Sequence, residues 1–147
     1  MTGPADLYSE LVLEHARRPH RRGRLAGAEG HADAANPLCG DRVEVWVNAE
    51  DGMVKEVVFD GEGCAISTAS ASMMTDALAG QPIGSARDRI DRFLRAVTEG
   101  GVEGLPEEQA ALAHVRRLPM RVKCATMPWR AALAALDDAE AAGGGPS

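Results

Sequence analysis

Residues 42–48, Arg-Val-Glu-Val-Trp-Val-Asn, place a valine at every second position, 43, 45 and 47. A period of two marks a strand with one face buried. Asp51-Gly52 follows, a dipeptide suited to a tight hairpin turn. Residues 53–60 return as a second strand, and Gly61-Glu62-Gly63 breaks it. A lone hairpin is marginal in water, so its apolar face needs a cover. The rest of the chain offers helices. Residues 6–18 carry Leu7, Tyr8, Leu11, Val12 and His15 at helical spacing and end at Pro19. Residues 68–79 are rich in Ala, Ser and Met and stop at Gly80; residues 86–98 carry a stripe of Ile90, Phe93, Leu94 and Val97. Pro106 opens a short helix over 107–117, and 121–141 form a last helix weakened near its start by Pro128. Residues 17–31 read as a polar, Arg-rich loop, Asn36-Pro37 as a turn, and 64–66 as a short third strand. Strands before helices give an α+β class: a small antiparallel sheet of about three strands, followed by and packed against several helices.

Composition narrows the class further. A chain of 147 residues that is 45% hydrophobic fits a single domain, 1–141, with residues 142–147 as a disordered tail. A formal net charge of −6 and an aromatic content of 3% argue against nucleic-acid binding. No apolar run reaches the length of a membrane span. Met1-Thr-Gly-Pro-Ala-Asp6 lacks the charged start and apolar stretch of a secretory signal, so a cytoplasmic location is expected. Three cysteines are an odd number, which excludes a fully paired disulfide framework.

The hairpin bears on those cysteines. Cys39 lies twelve residues before Asp51, and Cys64 twelve after Gly52. Antiparallel strands return their ends to one edge, so the two thiols become neighbours. Asp41 lies two residues from Cys39, on the same side of an extended chain. Cys39, Asp41 and Cys64 then form three corners of a ligand set. The hairpin does not place Cys124; the ligand count makes it the fourth. Three thiolates and a carboxylate suit tetrahedral zinc, at a formal charge of about −2. Arg121 and Lys123 flank Cys124 and offset part of it. The plainer reading, three cysteines as small buried hydrophobes, stays open on spacing alone, although the polar Gly, Asp, Lys and Arg neighbours weigh against it.

At these residues the sequence resembles the U-type proteins of iron–sulfur cluster biogenesis, most closely the SufU branch of the IscU/NifU N-terminal-like family. The resemblance rests on Asn36-Pro-Leu-Cys-Gly-Asp41, on Gly61-Glu-Gly-Cys-Ala-Ile-Ser-Thr-Ala-Ser70 with Ser72-Met-Met74, and on Arg121-Val-Lys-Cys-Ala-Thr126 with Trp129, in that order. IscU-type scaffolds carry a His before the last Cys, where this chain has Lys123, and residues 98–119 look like the SufU insertion. Met127-Pro128 departs from the family pattern before Trp129. The resemblance implies a SUF-system sulfur-transfer protein that holds zinc on Cys39, Asp41, Cys64 and Cys124. It also implies that Cys39 accepts persulfide sulfur from a SufS-type, pyridoxal-phosphate-dependent cysteine desulfurase and passes it to downstream iron–sulfur assembly proteins. The alternatives are a scaffold that builds an iron–sulfur cluster on the same four ligands and a domain with purely structural zinc.

Other features read more plainly. Arg17, Arg18, Arg21, Arg22 and Arg24 form a basic cluster that suits either a partner's acidic patch or a solvated loop. His15 and His20, five apart across a helix end, make a poor ligand pair. Ser67, Ser70 and Ser72 read as caps and small packing residues, and Met73 and Met74 as core filling.

Overall fold

A computed structural model describes residues 9–37 and 40–142. The order is α1 (Glu10–Arg17), β1 (Gly30–Asn36), β2 (Asp41–Glu50), β3 (Met53–Glu62), α2 (Ala65–Leu78), α3 (Ile83–Glu99), α4 (Glu107–Leu112), a 3-10 turn (Ala113–Arg117) and α5 (Pro119–Ala142). The sheet is antiparallel in the order β1-β2-β3. The α+β class expected from the sequence therefore holds.

The hairpin turns at Asp51-Gly52 as its residues demand, with φ of 55° and 76°. Val43, Val45 and Val47 face the core from β2, opposite Val57 and Phe59 of β3. The register slips by one residue beside Asn48 and Ala49. That bulge turns Val54 inward as well, although Val54 and Val57 are not an even number of residues apart.

Two expectations fail. The third strand is not 64–66, because Cys64 is the residue that caps α2. It is β1, drawn from a stretch read as loop and turn. β1 reads Gly-His-Ala-Asp-Ala-Ala-Asn and has none of the β-branched residues that mark strands. Its small side chains serve packing: α5 lies across it, and a Cβ on Gly30 would sit 2.1 Å from the Ala135 carbonyl oxygen.

α2 is the central helix and is buried on nearly every side. Its hydroxyls find partners: Ser67 donates to the Cys64 carbonyl, Ser70 to that of Ala125, and Thr75 to that of Ser72. Met73 and Met74 are fully buried, as expected. Phe93 of α3 stacks on Trp129 of α5 with ring centroids 4.3 Å apart. Pro128 does not break α5, which runs unbroken to Ala142 and so takes in the first residue of the expected tail. The segment 98–119 folds into a link, α4 and the 3-10 turn, and buries Leu112 and Val115. Leu7, Tyr8 and the tail residues 143–147 lie outside the described residues.

The arginine cluster is turned onto the chain itself. Arg17 faces Glu10, Arg18 Glu14, Arg21 Asp76, Arg22 Asp60 and Arg24 Glu44. The segment also runs along β3: the Gly23 N–H donates to the Phe59 carbonyl and the Phe59 N–H to that of Arg21. No helix among the described residues is long and apolar enough to cross a membrane.

Candidate metal centre

Three elements deliver three donors to one point. Asp41 is the first residue of β2, paired with Asn36 at the end of β1. Cys64 is the N-cap of α2, with extended φ and ψ of −74° and 174°. Cys124 lies in the second turn of α5 and is fully buried. One carboxylate oxygen of Asp41 and the two Sγ atoms all lie within 4.8 Å of one another.

Asp41 is only 4% exposed. Its Oδ1 accepts the Cys64 N–H at 3.2 Å. Its Oδ2 is buried and has no hydrogen-bond partner; among the described residues no other buried side-chain oxygen or nitrogen is left so. A buried carboxylate oxygen without a donor is costly and rare. A cation beside the two sulfurs would satisfy it. The donor set fits a borderline-soft divalent ion of the zinc type, which takes sulfur and carboxylate oxygen together.

The local backbone is shaped around that carboxylate. A Cβ on Gly63 would sit 2.2 Å from the Ser67 Oγ and 3.1 Å from the Asp41 Cγ, so only glycine leaves the space. Gly40, at φ 77°, turns the chain into β2, and its N–H donates to the Asn36 carbonyl at 2.8 Å. Cys64 stands at the head of α2, beside the positive end of the helix dipole.

Cys124 is held through Ser70, which the sequence alone reads as a cap or small packing residue. The Ser70 hydroxyl donates to the Ala125 carbonyl at 2.5 Å and accepts the Trp129 indole N–H at 2.9 Å. Ser70 and Trp129 are both fully buried, so this pair of bonds fixes α5 against α2 one residue from Cys124. Pro128, which has no N–H, removes the intrahelical donor that the Cys124 carbonyl would otherwise receive. Lys123 and Arg130 line a groove of 220 Å³ with Asn36, Thr126 and Met127.

The structure thus brings Asp41, Cys64 and Cys124 together. Cys39, the fourth residue of the expected set, lies outside the described residues.

Comparison with known proteins follows the same lines. Residues 7–141 match the family described as NifU-like N terminal domain. The iron–sulfur cluster assembly scaffold protein IscU of Streptococcus pyogenes is 39% identical over 127 residues, spanning 85% of this chain and 79% of that protein. The zinc-dependent sulfurtransferase SufU of Bacillus subtilis is 34% identical over 134 residues, spanning 85% and 86%. Among solved structures, a nitrogen-fixing NifU-like protein (N-terminal) from Brucella abortus superposes with a TM-score of 0.85 at 25% identity, covering 93% of this chain and 96% of that one. A SUF-system protein from Fervidobacterium islandicum gives 0.81 at 27% identity, covering 91% and 99%. With a match along almost its whole length and close relatives named IscU and SufU, the chain belongs to the NifU-like N terminal domain family.

Proposed function

We propose that this chain is a zinc-dependent sulfur-transfer protein of iron–sulfur cluster assembly, taking persulfide sulfur from a SufS-type cysteine desulfurase on Cys39 and passing it to downstream assembly proteins. The observation that carries the reading is the buried, partnerless Asp41 Oδ2 beside the Cys64 and Cys124 sulfurs. Asp41, Cys64 and Cys124 would hold the ion, with Cys39 as the fourth ligand. When bound, zinc keeps its cysteines as thiolates and tempers them as nucleophiles.

The chain's own chemistry is thiol exchange. The Cys39 thiolate attacks the outer sulfur of the donor's cysteine persulfide. A new S–S bond forms on Cys39, the donor's S–S bond breaks, and the donor cysteine leaves as a thiolate. No electrons are gained or lost overall. Lys123 and Arg130 beside the groove add positive potential that favours an anionic sulfur donor.

Lys123 and the folded 98–119 segment support the sulfur-transfer reading, as does the B. subtilis relative. The S. pyogenes relative supports the second reading, a scaffold for cluster assembly. The deciding experiment is desulfurase turnover of cysteine with and without this chain. Stimulation, lost in Cys39→Ser, with one added sulfur on the peptide holding Cys39 by mass spectrometry, is the expected result. Sulfur on Cys64 or Cys124 would overturn the assignment of Cys39. Unchanged turnover, with brown protein holding iron and sulfide after anaerobic purification, would favour the scaffold.

A further inference from the structure

Away from the sulfur centre, α1 and α2 frame a second cluster of ligating side chains. Pro19 ends α1, and the next residue folds back onto α2. The Ser72 hydroxyl accepts the His20 backbone N–H at 2.8 Å and meets the His15 Nδ1 at 2.7 Å. One helical turn on, Asp76 meets the His20 Nδ1 at 2.8 Å through Oδ2. The fold thus overcomes the poor spacing of His15 and His20 in sequence. Their rings lie 4.7 Å apart, centroid to centroid, tilted by 47°. One ligand atom each from His15, His20 and Asp76 lies within 4.8 Å of the other two.

We propose that His15, His20 and Asp76 form a second metal site, for a divalent first-row cation of the zinc, cobalt or nickel type. Two imidazoles and one carboxylate are a nitrogen–oxygen set without sulfur, which suits those ions. It differs in kind from the sulfur-rich centre at Cys64, so the two sites need not compete for one metal. The surrounding charge is permissive. Glu108 lies 3.4 Å from the His15 Nε2 and adds negative charge. Arg21 holds the Asp76 Oδ1 at 2.6 Å and fixes the carboxylate, whose two oxygens face the His20 Nδ1 at 3.0 and 2.8 Å. With neutral imidazoles, Asp76, Glu108 and Arg21 leave one net negative charge. Glu108 meets the His15 Nε2, the outer contact that ligating histidines commonly make, which leaves Nδ1 to exchange its Ser72 hydrogen bond for the ion. His15 is 5% exposed, while His20 and Asp76 open to solvent and give the ion an entry path. An ion here would clamp α1 and the arginine segment onto α2, the helix whose first turn bears Cys64.

The test is cobalt titration of the full chain carrying a single equivalent of zinc, which the sulfur-rich centre takes first. The expected result is one further equivalent of Co²⁺, with visible d–d bands but no thiolate charge-transfer band in the near ultraviolet. In His20→Asn, whose altered side chain is half exposed, that equivalent should weaken at least about tenfold. Zinc at the sulfur centre should be retained in the variant. Cobalt that enters only with a thiolate charge-transfer band has exchanged at the cysteines, and would overturn the second site. So would the absence of a further equivalent, or one that survives His20→Asn unchanged. A failure of the sulfur centre alone reads differently: zinc would not load, while the nitrogen–oxygen bands would still appear.

Discussion

Replacing Asp41 with Asn should have opposite effects on stability with and without metal. The side chain is 4% exposed, and its Oδ2 has no donor. Asn keeps the shape and keeps Oδ1 as acceptor for the Cys64 N–H. It replaces a buried, uncompensated carboxylate oxygen with a neutral amide beside two sulfurs. An unsatisfied buried polar group costs about 1–3 kcal/mol, more when charged. Relieving part of that should make the metal-free variant about 1 kcal/mol more stable than wild type. For a chain of this length that is a rise of roughly 2–4 °C in melting temperature. With metal the order reverses. Excess ion at a hundred times its dissociation constant stabilises the native state by ~2.7 kcal/mol, and each tenfold loss of affinity removes ~1.4 kcal/mol. An amide is a much poorer zinc ligand than a carboxylate, so the variant should melt below wild type in zinc. Thermal melts in chelator and in excess zinc measure both arms. A variant less stable than wild type in both conditions would refute the reasoning, because Asp41 would then be an ordinary structural acceptor.

Three further outcomes follow from the same geometry. Gly63→Ala should stay folded but bind zinc roughly tenfold more weakly, because its Cβ meets the Asp41 Cγ at 3.1 Å; competition with a chromogenic chelator reads this. Adding Ser67→Ala, which removes the 2.2 Å clash, should recover only part of that loss. Ser70→Ala should cost about 1–3 kcal/mol in denaturant melts, since the buried Trp129 N–H loses its acceptor and the Ala125 carbonyl a donor. Removing zinc from wild type should lower its melting temperature markedly without unfolding it at 25 °C, as circular dichroism would show, because the hydrophobic core is continuous without the ion.

What the sequence revealed depended on how local the cause was. The hairpin was legible because alternation and the Asp-Gly turn act within twenty residues. That same hairpin carried Asp41 to Cys64, where a hydrogen bond now joins them. β1 was not legible, because its strand form is imposed from outside: β2 pairs along it and α5 requires small residues over it. The false strand at 64–66 has a related cause. α2 is buried almost all round, so it shows no polar face to mark where the helix begins. Cys124 was placed by ligand count rather than by geometry. What seats it is the bond from Ser70 to Ala125, between residues 55 apart in sequence. No local pattern announces a serine that both donates to a carbonyl and receives an indole.

That seating bears on which cysteine could carry sulfur. A carrier must accept an extra sulfur atom and present it to a partner. Cys124 is fully buried, inside a helix fixed by the Ser70 bonds and by Trp129 stacked on Phe93. An added sulfur there would overpack the core, which typically costs 1–3 kcal/mol. Cys64 is partly exposed, but its N–H is bound to Asp41 and its carbonyl receives the Ser67 hydroxyl. Moving Cys64 would disturb the first turn of α2 and the Asp41 carboxylate together. Both cysteines therefore suit a fixed role. Under the proposed sulfur transfer, the transferable role is left to Cys39, which lies outside the described residues. A carrier needs one thiol free to move beside its fixed ones, whereas a purely structural zinc site has no use for such a thiol.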